Sequence, residues 1–135
     1  YRALGDAISE IRQIVNDLFD LFGKDESADL AGRKWTVPLC VMLHGLTPEA
    51  RAAWIARITR VDAREVGDFL YASGAMGRVV ALIEAARARL HRIARALPCG
   101  GPELAALLGF IDGLVSPIYS PPALDDVEEP VRRAL

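Results

Sequence analysis

The stretch LGDAISEIRQIVNDLFDLF, residues 4–22, decides the fold of this chain. Its apolar residues are separated by alternating steps of four and three, the spacing that places side chains on one face of an α-helix. The residues with this spacing are Leu4, Ile8, Ile11, Val15, Leu18 and Phe22. The sequence therefore predicts an amphipathic helix that buries this face and ends at Gly23.

Two helices are predicted after it from their start and stop residues. Pro38 fits the first turn of a short helix that starts near Thr36 and ends at Gly45. Proline has no backbone N–H, and in the first turn of a helix no hydrogen bond from that N–H is needed. The run Thr47-Pro48-Glu49 combines an N-cap, a first-turn proline and an acid that matches the helix dipole. It predicts a second helix that continues to about Arg60.

The second half of the chain carries the same kinds of signal. Asp62 and Glu65 predict a capped start to a helical pattern that runs to Leu97. Ser73-Gly74 and Gly77 predict a break or kink inside this pattern, which is too long for one ordinary helix.

The chain ends with one more helix and a tail. Residues 98–101, Pro-Cys-Gly-Gly, predict a loop, and Pro102 opens a helix to about Val115. Residues 116–135 contain four prolines and predict an extended tail. The expected architecture is an all-α unit over residues 1–115, followed by this tail.

Composition limits the possible functions. The chain has 135 residues, of which 52% are hydrophobic and 25% charged, and this size and composition fit one globular domain. A net charge of −2 argues against nucleic acid as a partner, since such binders usually have a basic excess. Two isolated cysteines suit a reducing, cytoplasmic location. The longest apolar run, residues 37–43, is too short to span a bilayer.

Opposite the apolar face, the first helix has a polar face. Its residues fall within about a third of the helix circumference. They are Gln13, Asn16, Asp17, Asp20 and, one turn on, Lys24. A solvated surface is the ordinary interpretation of such a face. However, Asp17 and Asp20 are like charges three residues apart, which repel each other unless a cation lies between them, and Mg²⁺ suits this arrangement best.

Further features follow in a fixed order along the chain. They are QIVNDLFD at residues 13–20, Gly23-Lys24, Asp29-Leu30 and Lys34-x-Thr36-x-Pro38. Together they resemble the second aspartate-rich motif, and the segment after it, of the trans-isoprenyl diphosphate synthases. This family builds farnesyl, geranylgeranyl and longer polyprenyl diphosphates. The resemblance covers most of residues 1 to about 115 and implies an isoprenoid-synthase-type helical bundle.

The resemblance implies roles for individual residues. Four of them would hold Mg²⁺ against the substrate diphosphate: Asn16, Asp17, Asp20 and Asp29. Gln13 would face the reactive carbons, and Lys24 and Lys34 would grip the diphosphate, with Gln13 and Lys34 counted as catalytic. These are the only two lysines among 16 basic residues, and a compact ammonium suits a crowded metal–phosphate cluster.

The implied activity is Mg²⁺-dependent prenyl transfer, in which an allylic diphosphate ionises and condenses with isopentenyl diphosphate. The resemblance also implies a homodimer. The family needs a first aspartate-rich motif on a facing helix, and none precedes Asp17 here. The expectation is therefore that this chain is the C-terminal portion of an enzyme whose N-terminal part carries that motif.

Three departures from the family pattern keep alternatives open. Asn16 replaces an aspartate, Arg12 replaces a phenylalanine, and Arg33 replaces a glycine. The opening of the motif, Asn16-Asp17-Leu-Phe, is also similar to the metal motif of class I terpene cyclases of the same fold. A non-catalytic partner subunit that retains the fold is the other alternative.

Overall fold

The computed structural model describes residues 1–22 and 34–119, and in these ranges every regular element is helical. This confirms the predicted all-α class. The helices are α1 (Arg2–Phe22), α2 (Val37–His44), α3 (Pro48–Arg57), α4 (Ala63–Ala72), α5 (Ala75–Arg95) and α6 (Gly101–Tyr119). A single 3₁₀ turn, Ile58–Arg60, follows α3.

The predicted caps mark the observed helix starts. At α3 the Thr47 hydroxyl oxygen accepts a hydrogen bond from the amide of Ala50 at 3.3 Å. At α4 a carboxylate oxygen of Asp62 accepts from the amide of Glu65 at 2.8 Å. Each bond satisfies an amide that has no partner inside its own helix. A residue three positions before each bonded amide therefore marks the start of the helix, as the sequence predicts.

The break between α4 and α5 occurs at Ser73-Gly74. Gly74 has φ of +68°, a left-handed conformation that glycine adopts without steric cost. The two helices meet there at 83°. Gly77, the other predicted position for the break, lies inside the regular helix α5.

The core has two parts, joined through α1 and α5. In the first, α5 packs against α1 and α6, and its fully buried residues include Ile11, Ile83, Leu90 and Ile111. In the second, the end of α1 packs with α2, α3 and α4, and its buried residues include Leu21, Met42, Trp54 and Leu70. Apolar burial on these two surfaces is the main force that holds the helices together.

Helix α6 is longer than the sequence predicts. It continues through Pro117 to Tyr119, four residues beyond Val115, and residues 120–135 lie outside the described part of the chain. Asp112, in the middle of α6, accepts from Arg87 of α5 at 3.3 Å. By length and composition α6 is apolar enough to cross a membrane, a property that the longest apolar run does not reveal.

Candidate functional site

The polar face of α1 is divided by the fold between solvent and interior. Gln13 and Asn16 are exposed, and Asp20 is half-buried. Asp17 retains only 4% of its accessible surface, although it lies between them on the helix. The face is therefore not a uniformly solvated surface, because Asp17, the first of its two acids, is buried in the protein.

The burial of Asp17 is explained by the start of α2. One carboxylate oxygen of Asp17 accepts a hydrogen bond from the amide of Val37 at 2.9 Å, across twenty positions in sequence. The other oxygen accepts from the side-chain amide of Gln13, one turn earlier on α1. The carboxylate thus satisfies an amide at the positive end of α2, where a negative charge is stabilised.

Thr36 occupies the N-cap position of α2 but does not cap it with its side chain. Its φ and ψ of −82° and 158° are those of an N-cap, and its carbonyl oxygen accepts the first helical bond from Cys40. No side-chain capping bond forms from Thr36, which is 6% exposed. Asp17 supplies an acceptor for another amide of this first turn, that of Val37, from a different helix.

This hydrogen bond brings two of the predicted motifs together. Residues 13–20 on α1 now lie beside the segment Lys34-x-Thr36-x-Pro38, which leads into α2. Lys34 is exposed at this junction. Of the predicted site residues, Asn16 and Asp20 on α1 and Lys34 before α2 therefore belong to two segments that this bond joins.

Two other predicted site residues, Lys24 and Asp29, lie outside the described residues. Within residues 1–22 and 34–119, no three His, Cys, Asp or Glu side chains come together as a group that could hold a metal ion. The Mg²⁺ site and its four ligands stay a prediction.

Apolar grooves lie next to this junction. One, beside Gln13, is lined by Glu10, Gln13, Ile14, Val37 and Leu82. A second lies between α2 and α5, and Leu82 lines both. Leu82 is 45% exposed, so α5 contributes an apolar side chain to the surface near Gln13.

Sequence reasoning missed two contributors to this region, the Val37 amide and Leu82. Pro38 did indicate that a helix begins here, and a helix start always has unsatisfied amides. Nothing in the spacing of residues 13–20 indicates that their partner is this particular helix start. In the described part of the chain every regular element is helical, and the polar face of α1 meets the start of α2 at Val37. No protein-family model, no curated protein and no solved structure matches the chain.

Proposed function

We propose that this chain is the C-terminal part of an isoprenoid-synthase-type enzyme that ionises an allylic diphosphate and condenses it with isopentenyl diphosphate. The supporting observation is the hydrogen bond between Asp17 and Val37, at 2.9 Å. It connects the polar face of α1 with the segment that contains Lys34. Two motifs that are separate in sequence, and that the proposed chemistry needs side by side, are adjacent in the fold.

The donor set on α1 fits Mg²⁺. The predicted ligands offer only oxygen atoms, which this cation prefers, and Asn16 is exposed, which leaves room for the waters that Mg²⁺ retains. When bound, the ion supplies Lewis-acid stabilisation of the charge that develops on the departing diphosphate. Asn16 and Asp20 would hold it from α1, and Asp29 from the following segment. Asp17, the fourth predicted ligand, is buried and bonded to the Val37 amide.

The residues around the ion have the remaining tasks. Lys34 would bind the diphosphate oxygens and stabilise their charge as the carbon–oxygen bond of the allylic substrate breaks. The double bond of isopentenyl diphosphate then attacks the allylic cation, and loss of a proton restores a double bond in the longer product. Gln13 would orient the reacting carbons.

The cation must be kept away from water, which would quench it. Ile14, Val37 and Leu82 form an apolar surface beside Gln13, consistent with this requirement. The full cavity would need the facing helix that carries the first aspartate-rich motif. In a class I cyclase, an internal double bond of the same substrate would attack the cation instead.

The test uses the protein encoded by the complete reading frame, an allylic diphosphate, labelled isopentenyl diphosphate and Mg²⁺. A labelled, longer diphosphate product is expected, and Lys34→Ala should remove most of the turnover. Arg12→Ala is the control, because Arg12 is an exposed cation of α1, next to Gln13 in sequence, and has no proposed contact with either substrate.

Other results would replace the proposal. Release of inorganic diphosphate together with a cyclic product, without incorporation of the label, would indicate a cyclase. If neither substrate is consumed, and calorimetry detects no Mg²⁺-dependent binding of inorganic diphosphate, the proposal is wrong and a non-catalytic partner becomes the better interpretation.

A further inference from the structure

We infer that Asp17 is a positioning residue and not a Mg²⁺ ligand: its carboxylate holds the first turn of α2 against α1 and so places Lys34 and Thr36. The inference rests on the proposed function, since the residues it places are those proposed to meet the diphosphate. It changes the role of one acid in the motif and leaves Asn16 and Asp20 as the donors from α1.

The surroundings of Asp17 argue against coordination. Its side chain is 4% exposed, and both carboxylate oxygens already accept hydrogen bonds from Val37 and Gln13. Mg²⁺ needs near-octahedral geometry and usually retains several waters. A carboxylate enclosed in this way offers little space for a hydrated ion, whereas Asn16, one residue earlier, is exposed.

The start of α2 depends on Asp17 for a structural reason. Of the first two residues of this helix, Pro38 has no amide hydrogen, so Val37 offers the only amide there. The usual capping side chain, Thr36, makes no capping bond. The Asp17 carboxylate is thus the acceptor that satisfies Val37 and fixes where α2 begins.

The position of Lys34 follows from this bond. Lys34 lies three residues before Val37, and Thr36 precedes it directly, so a shift in the first turn of α2 moves both. A hydrogen bond between a buried carboxylate and a backbone amide is short, directional and strengthened by its low-dielectric surroundings. This makes Asp17 the anchor of the segment proposed to bind diphosphate.

The experiment compares Asp17→Asn, Asp17→Ala and Asp20→Asn in the full-length protein. The asparagine side chain at position 17 has the shape of the native one, and its carbonyl oxygen can still accept from Val37 while Gln13 turns its own amide to match. Calorimetry with inorganic diphosphate measures affinity at saturating Mg²⁺, and a Mg²⁺ titration gives the concentration for half-maximal binding.

If Asp17 is a positioning residue, Asp17→Asn keeps the parent's Mg²⁺ requirement and diphosphate affinity. Asp17→Ala should lower the diphosphate affinity about tenfold at saturating Mg²⁺, the size expected for losing a hydrogen bond to a charged group. Asp20→Asn should raise the Mg²⁺ requirement. If Asp17→Asn raises that requirement as much as Asp20→Asn does, Asp17 is a ligand and the inference is overturned.

A second measurement separates the inference from the proposed function, and the amides in the middle of α5 report in the same experiment whether the alanine variant is still folded. Hydrogen exchange of the Val37 and Cys40 amides should be slow in the parent and in Asp17→Asn, and faster in Asp17→Ala. Unchanged exchange in Asp17→Ala would overturn the anchoring role even if diphosphate binds. A parent that binds no diphosphate would overturn the proposed function, while the exchange rates would still decide whether Asp17 anchors α2.

Discussion

The Arg51 guanidinium closes the C-terminal end of α2, and its Nε lies 2.9 Å from the carbonyl oxygen of Leu43. The same side chain also donates to the carbonyl oxygens of His44 at 3.4 Å and Leu46 at 3.3 Å. The negative side chain of Asp17 thus lies at the N-terminus of α2, and the positive side chain of Arg51 lies at its C-terminus. Both match the helix dipole, and both come from other elements.

Arg51→Ala should therefore lower the free energy of unfolding by about 1–2 kcal/mol, because two carbonyl groups at the end of α2 and one in the turn after it lose a charged donor. Urea denaturation measures the change. Arg92→Ala is the control, because Arg92 is an exposed arginine on α5 and its loss should change the stability by less than about 0.5 kcal/mol. Equal effects of the two substitutions would show that Arg51 contributes only its charge.

The Tyr119 hydroxyl donates a hydrogen bond to Glu84, and this contact should make stability depend on pH. The bond lowers the pKa of Glu84, with the Arg87 guanidinium as a further cause, and it raises the pKa of Tyr119. Because the pKa of Glu84 is lowered in the folded state, its contact stabilises the fold at pH values above the ordinary glutamate pKa. This stabilisation is lost as the pH falls through the lowered pKa. The raised tyrosine pKa stabilises the fold until the pH rises through it.

Tyr119→Phe tests this dependence. The parent should be more stable than the variant at neutral pH, and the difference should shrink both in strong acid and at a pH above the raised pKa of Tyr119. Thermal melts across the pH range measure it, with Tyr71→Phe as the control because Tyr71 is 63% exposed. A difference that is independent of pH would contradict the assignment.

The break between α4 and α5 offers a matched pair of glycines. Gly74→Ala should cost about 1 kcal/mol, because a left-handed φ of +68° is strained for any residue with a Cβ. Gly77→Ala should instead stabilise the protein by about 0.5–1 kcal/mol, because Gly77 is helical and a Cβ there meets no atom within 4 Å. Chemical denaturation of both variants measures the changes in the free energy of unfolding. Changes of the same sign in the two variants would contradict these roles of Gly74 and Gly77.

These same glycines show how far the sequence predicts the fold. Apolar spacing and cap residues predict the helices and most of their ends, because both are local properties of the chain. The sequence predicts a break at Gly74 and at Gly77 equally, because any glycine can adopt a left-handed conformation and the sequence does not determine which of the two does. The end of α6 was wrong by four residues because contacts with α5, such as that of Tyr119 with Glu84, support helix beyond Pro117.

The candidate site divides in the same way. The periodicity of α1 placed Gln13, Asn16, Asp17 and Asp20 on one face, and the structure has them on one side of the helix. Periodicity does not reveal that Asp17 is buried, because its position lies on the face opposite the apolar stripe. Burial there depends on where α2 starts, which is a contact between residues twenty positions apart.

Asn16→Asp tests the metal site directly. Asn16 is exposed, one residue from Asp17 and one turn from Asp20, so the new carboxylate can reach a cation held by that face. If Mg²⁺ binds there, the added charge is compensated, and the Mg²⁺ concentration for half-maximal turnover should fall.

If the face is only solvated, the new charge should destabilise α1 by a few tenths of a kcal/mol, the size of the effect of a like-charge pair on a helix. The Mg²⁺ response should then be unchanged. Ser9→Asp is the matched control, because it adds the same charge to an exposed position on the same face of α1, two turns before Asn16. A Mg²⁺ titration of turnover that shows no difference between the Asn16 variant and the Ser9 variant would remove Asn16 from the proposed ligands.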